Sequence, residues 1–124
     1  MNEVTLLLRQ IHPSFLQNDR VTSQAFRPTP KDEKKLSVYD GDLMTPGESY
    51  RHYTEELRLS STGVMAVSVK ECRAVDLEPV SDPEPFPEHV VIDFSSLPSE
   101  KSIKTKAKLL KARAMARGWL YRDE

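Results

Sequence analysis

One apolar run restricts the fold more than any other part of this sequence. Gly63 is followed by Val64-Met65-Ala66-Val67-Ser68-Val69, in which a serine is the only polar residue. Branched aliphatic side chains favour extended backbone, and so short a run is typical of a buried strand rather than of a helix. The run therefore predicts the central strand of a sheet.

Four other segments have strand character. Residues 4–11 form an apolar stretch that stops at His12-Pro13, and residues 20–26 alternate between polar and apolar side chains. Residues 36–39 precede the turn Asp40-Gly41, and residues 89–94 have the composition of a second buried strand. Proline, glycine and aspartate bound these segments because they favour turns over strand interiors. The pattern predicts one sheet of four or five strands.

Two segments carry signals for the start of a helix. Thr45-Pro46-Gly47-Glu48 places a hydroxyl at the N-cap, proline at the first helical position and glutamate at the third, which is a capping box. The helix that follows should cover about residues 46–58, with His52 on its outward side. Ser99 is a suitable N-cap for a second helix over about residues 100–117, which Gly118 ends.

These elements indicate a protein of the α+β class, with a single small sheet of four or five strands and two main helices. The length of 124 residues fits one domain, residues 1–124. Residues 76–88 contain four prolines and five acids, and they predict an extended connection inside that domain. A lone cysteine, Cys72, and the lack of a long apolar run predict a cytoplasmic protein without internal disulfides.

Charge is unevenly divided along the chain. Residues 1–99 hold 10 lysines and arginines against 16 acids, whereas residues 100–124 hold eight against three. The second predicted helix carries a row of lysines on one side, namely Lys101, Lys104, Lys108 and Lys111. Such a row can neutralise phosphates of a nucleic acid, contact an acidic protein surface, or only keep an exposed helix soluble. The sequence leaves these three interpretations open.

The sequence lacks the common signatures of catalysis. It contains no Gly-x-Ser-x-Gly elbow, no glycine-rich phosphate loop and no pair of ligands at metal-binding spacing. His12 and His89 each lie at the end of a predicted strand, where they could border a cleft. We therefore predict no cofactor and no metal site.

Several short strings resemble a group of small uncharacterised bacterial proteins. They are His12-Pro13-Ser14-Phe15, the segment VTSQAFRP at residues 21–28, Lys31-Asp32 and Leu36-Ser37-Val38. The resemblance continues through residues 63–72 and 89–94 to Arg117-Gly118, so it extends over nearly the whole chain. It implies a bacterial origin and no particular activity.

The order of elements is also similar to that of ADP-ribosyltransferase-like folds, which include small toxins. The similarity implies an NAD-consuming transferase in which Arg9 or His12, together with Ser37 and Tyr39, stands in the first two motifs. Those folds carry a glutamate on their last strand, where Asp93 is the only candidate here. This hypothesis requires the named side chains to converge on one pocket.

Three functions are consistent with these observations. The missing signatures and the divided charge favour a non-enzymatic interaction or accessory protein that binds another protein. The first alternative is the NAD-consuming transferase that uses Arg9, His12, Ser37, Tyr39 and Asp93. The second alternative is nucleic-acid binding through the lysines of the C-terminal helix. We predict no association with a membrane.

Overall fold

The computed structural model describes residues 1–29 and 33–123. The strands along these residues are β1 (Leu6–Gln10), β2 (Leu16–Gln17), β3 (Arg20–Val21), β4 (Lys35–Asp40), β5 (Gly63–Ser68), β6 (Glu78–Ser81), β7 (His89–Asp93) and β8 (Tyr121–Arg122). The α-helices are α1 (Pro46–Arg51), α2 (Val69–Ala74) and α3 (Glu100–Arg117). Lys31 and Asp32, which carry part of the bacterial resemblance, lie outside the described residues.

Six strands form one antiparallel sheet in the order β6-β7-β4-β1-β5-β8, and β2 and β3 form a separate hairpin. The α+β class is confirmed, but the predicted number of four or five strands is wrong.

The segment 76–88, predicted to be a connection, contains the edge strand β6. Its Pro79 is tolerated because an edge strand leaves ladder positions unpaired. Strand β8 pairs with β5 after the chain turns at Gly118.

The strand predicted at residues 20–26 is mostly a 3₁₀ helix. Only Arg20 and Val21 form a strand, and Ser23–Phe26 form the helix. Ala25 and Phe26 are fully buried, and this short helix packs against α3. The alternation of polar and apolar residues therefore arises because one side of this 3₁₀ helix is buried, and not because the segment is a strand with one buried face.

Helix starts follow local side-chain bonds. The capping box at Thr45 and Glu48 is confirmed: the Glu48 N–H donates to the Thr45 hydroxyl at 3.1 Å, and the Glu48 carboxylate accepts from the Thr45 N–H at 2.9 Å. The α1 segment then continues as a π-helix, His52–Glu56. Ser68 and Glu71 form a second capping box, which starts α2, a helix that the sequence prediction lacks. Helix α3 has the predicted bounds.

The sheet is covered on both faces. Its core face packs against the buried side of α3, which presents Ile103, Ala107, Leu110 and Ala114. Its outer face carries Leu8, Tyr39, Val64 and Ala66, which pack against aromatic side chains of α1, the π-helix and nearby loops. Among the described residues, no helix is both long and apolar enough to cross a bilayer.

Strands β1 and β4 separate at one end of the sheet. Their pairing stops after Leu8↔Tyr39, although both strands continue beyond that pair. Continued pairing would place Gln10 opposite Ser37. Instead β1 follows β5 and β4 follows β7 to their ends. The two strands therefore form a fork, and the candidate site lies there.

Candidate functional site

A cavity of about 460 Å³ lies at the fork between β1 and β4. We call it the fork cavity. Its volume is within the range of small-molecule sites in proteins. Its walls come from both strands of the fork, the loop after β1, the π-helix and the segment before β7. The lining residues used below are Arg9, His12, Ser14, Phe15, Ser37, Tyr39, Tyr53, Leu57, Leu59, Phe86 and His89.

The fork cavity brings together four of the five candidate catalytic residues of the transferase hypothesis, namely Arg9, His12, Ser37 and Tyr39. Asp93 does not line it. Asp93 lies at the far end of β7 opposite Lys35, and its carboxylate accepts a hydrogen bond from the Ser95 N–H at 2.8 Å. Bonds to Ser95 and the charge of Lys35 lower the pKa of Asp93 despite partial burial.

Arg9 bridges the two sides of the fork. Its Nε donates to the Ala25 carbonyl at 2.6 Å, and its Nη1 donates to the Ser37 carbonyl at 2.9 Å. The guanidinium carbon also lies 5.6 Å from the centroid of the Phe15 ring. The arginine thus bonds a strand carbonyl that the separated β1 backbone does not reach.

The backbone N–H and C=O of Ser37 face this fork. Peptide groups along a strand alternate between its two edges, and the Asp40 N–H bonds toward the β7 side, to the Glu88 carbonyl. Ser37, three residues earlier, therefore directs its N–H and C=O toward the gap. Its side chain is exposed on the outer face of the sheet.

His89 connects Ser37 to Asp82. Its Nδ1 lies 3.0 Å from the Asp82 backbone carbonyl oxygen and 3.3 Å from the Asp82 carboxylate oxygen Oδ2. A carbonyl oxygen can only accept, so Nδ1 of His89 carries a proton. In the neutral ring Nε2 is then the acceptor, and it lies 3.1 Å from the Ser37 hydroxyl oxygen. The buried His89 ring is therefore set to accept the Ser37 proton.

His12 has the opposite tautomer. The backbone N–H of Ser14 donates to Nδ1 of His12 at 3.0 Å, so this nitrogen is an acceptor. In the neutral ring the proton is then on Nε2. The fork cavity thus contains one imidazole that accepts a proton and one that donates a hydrogen bond, and main-chain groups determine both states.

An aromatic cluster forms the wall beside β4. The Tyr39 hydroxyl bonds Nδ1 of His52 at 2.8 Å, and Phe86 stacks on Tyr39 with ring centroids 5.2 Å apart. Burial is the main cause of a strongly raised Tyr39 pKa, with smaller contributions from Tyr53 and Glu88. The prediction that His52 faces outward is wrong, because its ring is half-buried against Tyr39 and Phe86.

Another part of the lining is largely apolar and partly open to solvent. Leu57 and Leu59 line the cavity and keep 39% and 49% of their surface exposed. Phe15 and Tyr53 line it as well, each half-buried. Exposed aliphatic side chains beside polar groups are typical of a site that binds a partly apolar ligand.

The four lysines proposed for phosphate binding lie apart from this cavity. Lys101, Lys104 and Lys108 are exposed on α3, and Lys111 is half-buried. They therefore do not share a site with the fork residues.

Other reactive groups do not form a second centre in the part of the chain that the structure describes. Burial, followed by the charges of Glu71 and Glu78, raises the pKa of the Cys72 thiol to about 12. The thiol is therefore protonated and enclosed, which is unsuited to nucleophilic attack. Within residues 1–29 and 33–123, no three histidine, cysteine or acidic side chains are placed to hold a metal ion.

The sequence interpretation did not connect Asp82 and His89 with Ser37. Asp82 lies in the proline-rich stretch predicted to be a connection, and His89 begins a strand whose partner was not predictable. Ser37 and Tyr39 are two residues apart and therefore share one face of their strand. This spacing points to His89 only when the register Tyr39↔His89 is known, because that register places His89 diagonally across from Ser37.

No protein-family model, curated protein or solved structure matches this chain. The similarity in element order to ADP-ribosyltransferase-like folds and the resemblance to small bacterial proteins therefore stay predictions. The geometry of the fork cavity carries the functional argument alone.

Proposed function

We propose that this protein is an acyl-transfer enzyme in which Ser37 is the nucleophile, His89 is its base and Asp82 orients the base. One observation carries the proposal: a continuous chain of polar contacts runs from Asp82 through both ring nitrogens of His89 to the Ser37 hydroxyl. A nucleophile that bonds a base, which a third group orients, is what serine-dependent acyl transfer requires.

The proposed first step forms a bond between Oγ of Ser37 and the carbonyl carbon of an ester or thioester. Nε2 of His89 takes the hydroxyl proton as this bond forms, and the carbonyl π electrons move to its oxygen. When the tetrahedral intermediate collapses, the bond to the leaving alkoxide or thiolate breaks and His89 returns the proton to that group. Water then attacks the acyl-serine with His89 again as the base, which releases the acid and restores Ser37.

Two donors are suited to the negative oxygen of the intermediate. The Ser37 N–H faces the fork, because its carbonyl accepts a bond from Arg9 on that side. His12, which lines the same cavity, carries its proton on Nε2 when it is neutral. Donors held in place before the reaction stabilise developing charge without reorganising.

Hydrolysis of a set of activated esters and thioesters tests this proposal. We expect wild-type turnover that Ser37→Ala abolishes and that His89→Gln reduces about 100-fold or more. Ser96→Ala is the matched control, because Ser96 is another exposed serine and lies outside the fork cavity. Its turnover should stay within a few-fold of wild type. Absence of wild-type turnover, or equal loss in Ser96→Ala and Ser37→Ala, would contradict the proposal.

An NAD-consuming transferase is a second candidate for the same cavity. The observation in its favour is the convergence of Arg9, His12, Ser37 and Tyr39 on one site of suitable size. The position of Asp93 outside the cavity weighs against it, because the similarity implies an acidic residue beside the others. Release of nicotinamide from NAD by wild type, lost in Ser37→Ala and in Arg9→Lys, would support this candidate over acyl transfer.

The non-enzymatic interaction function predicted from the sequence stays a prediction. We place acyl transfer ahead of it because the Asp82–His89–Ser37 contacts support a specific chemistry. Within residues 1–29 and 33–123, we identify no surface that indicates a protein partner as specifically.

A further inference from the structure

We propose that a groove beside α3 binds the sugar-phosphate backbone of a nucleic acid, independently of the fork cavity. One wall is the side of α3 that carries Lys101, Lys104, Lys108 and Lys111. The other wall is the β2–β3 hairpin with residues 22–29 and 33–34. We call this feature the basic groove.

Two surface cavities outline the basic groove. One, of about 510 Å³, is lined by Lys104 with Arg27 and Lys34. The other, of about 620 Å³, is lined by Lys111 with Arg20. Lys104 and Lys111 are seven residues apart, which is nearly two helical turns, so they lie on the same side of α3 about 10 Å apart. The two cavities therefore follow one side of the helix.

Positive charge predominates in the walls. Five cationic side chains line the two cavities, namely Arg20, Arg27, Lys34, Lys104 and Lys111, against the carboxylates of Glu33 and Glu100. Lys101 and Lys108 lie beside them on α3 but line neither cavity, which makes seven cations in all. None of the seven forms an ion pair with another residue in the described ranges 1–29 and 33–123.

Two cations of α3 that lie outside the groove, unlike those in the groove, form ion pairs within the protein. Lys106 lies 3.8 Å from Asp76, and Arg117 lies 2.9 Å from Glu71. The groove cations repel one another and attract counterions. Binding a polyanion would release those counterions, which is the main source of affinity in non-specific binding to nucleic acids.

The other lining groups favour a phosphate backbone over an acidic protein. Around Lys111 the groove presents side-chain amides and hydroxyls from Gln17, Asn18, Thr22 and Ser23. Such groups commonly bond phosphate and sugar oxygens. The centre of a protein interface is usually apolar and rich in aromatic residues. Among the described residues, no aromatic side chain lines either cavity, so stacking on bases is not expected. We therefore infer binding with little dependence on base sequence.

Fluorescence anisotropy with a labelled duplex and with its single strand, between about 50 and 200 mM salt, tests this inference. Lys104→Gln/Lys108→Gln should weaken binding several-fold and reduce the slope of log affinity against log salt by about 1.5–2. Arg20→Gln/Lys111→Gln should weaken binding to a similar extent, because it removes one charge from each wall of the groove. Arg51→Gln/Lys70→Gln is the control, because it removes two charges from exposed residues outside the groove.

Three results would overturn the inference. They are an equal loss of affinity in the control, the absence of salt-dependent binding by wild type, and equally tight binding of polyglutamate. The last result would assign the groove to an acidic protein instead. Each readout is independent of ester hydrolysis, so it does not depend on the function proposed for the fork cavity.

Discussion

Nε2 of His89 lies 3.1 Å from Oγ of Ser37 and joins the neighbouring strands β7 and β4 through their side chains. The register of the two strands produces this contact, because His89 is paired with Tyr39 and so lies diagonally across from Ser37. Four further elements bring other side chains to the same cavity. The proposed acyl transfer depends on this contact.

Asp82 should matter less than His89. The Asp82 backbone carbonyl already fixes the proton on Nδ1 of His89, and the Asp82 carboxylate is 45% exposed and lies slightly farther away at 3.3 Å. Asp82→Ala keeps the carbonyl, so we expect turnover to fall less than about tenfold, since solvent screens the partly exposed carboxylate. His89→Gln should lower turnover about 100-fold or more. Steady-state rates of the two variants measure the difference, and equal losses would contradict this division of roles.

The leucines at the cavity mouth should set a preference for longer acyl chains. Each methylene buried against Leu57 and Leu59 contributes about 0.8 kcal/mol, or roughly fourfold in kcat/KM. We expect kcat/KM to rise from acetyl to octanoyl esters in wild type, and Leu57→Ala/Leu59→Ala to flatten that increase. Leu43→Ala/Leu109→Ala is the control, since both of these leucines are exposed elsewhere. An unchanged chain-length dependence in the Leu57/Leu59 variant would show that the substrate does not contact this wall.

The contact between Tyr39 and His52 should stabilise the aromatic wall. Tyr39→Phe removes the 2.8 Å hydrogen bond and leaves the half-buried Nδ1 of His52 without that partner. We expect the free energy of unfolding in urea to fall by about 1 kcal/mol. Tyr53→Phe is the matched control, because its hydroxyl has no hydrogen bond to any described residue. If both variants lose the same stability, the hydrogen bond is not the cause.

Acid should destabilise the protein partly through Glu71. Burial raises the Glu71 pKa, but hydrogen bonds from Arg117 and Ser68 and the charges of Arg117 and Arg113 outweigh burial, so the pKa lies below the ordinary 4.5. A carboxyl whose folded-state pKa is lowered contributes stability above its unfolded pKa and loses that contribution as pH falls through the folded pKa.

The stability of Glu71→Gln in urea, measured from about pH 7 to about pH 3, tests this sign. The variant should be less stable than wild type by about 1–2 kcal/mol at neutral pH, and the difference should shrink toward the acid end. Glu55→Gln, at an exposed position, should show almost no difference at either end. A difference that grows toward acid pH for Glu71→Gln would refute the expected sign.

Sequence signals that act over a few residues predicted much of the fold. The capping box at Thr45 and the serine at position 99 located two helix starts, because the bonds involved span only three residues. Strand β6 escaped prediction because its proline is acceptable only at a sheet edge, and an edge is defined by distant strands. Helix α2 escaped because the apolar run continues to Val69, one residue beyond its N-cap.

The candidate site was predictable only in part. Arg9, His12, Ser37 and Tyr39 came from a similarity in element order, and the structure brings them to one cavity. The pairing of His89 with Ser37 depends on strand register, which a single sequence does not determine. The fork depends on where β1 and β4 stop pairing, which also involves contacts between residues far apart along the chain.

Reaction with a fluorophosphonate probe, followed by intact-mass measurement and peptide mapping, tests the central claim most directly. Such probes form a covalent bond with a serine that a neighbouring base activates. We expect one adduct per chain, on Ser37, at a rate that His89→Gln lowers strongly and Ser96→Ala leaves unchanged. An unmodified wild-type chain, or an adduct on any other residue, would contradict the assignment of Ser37 as the nucleophile.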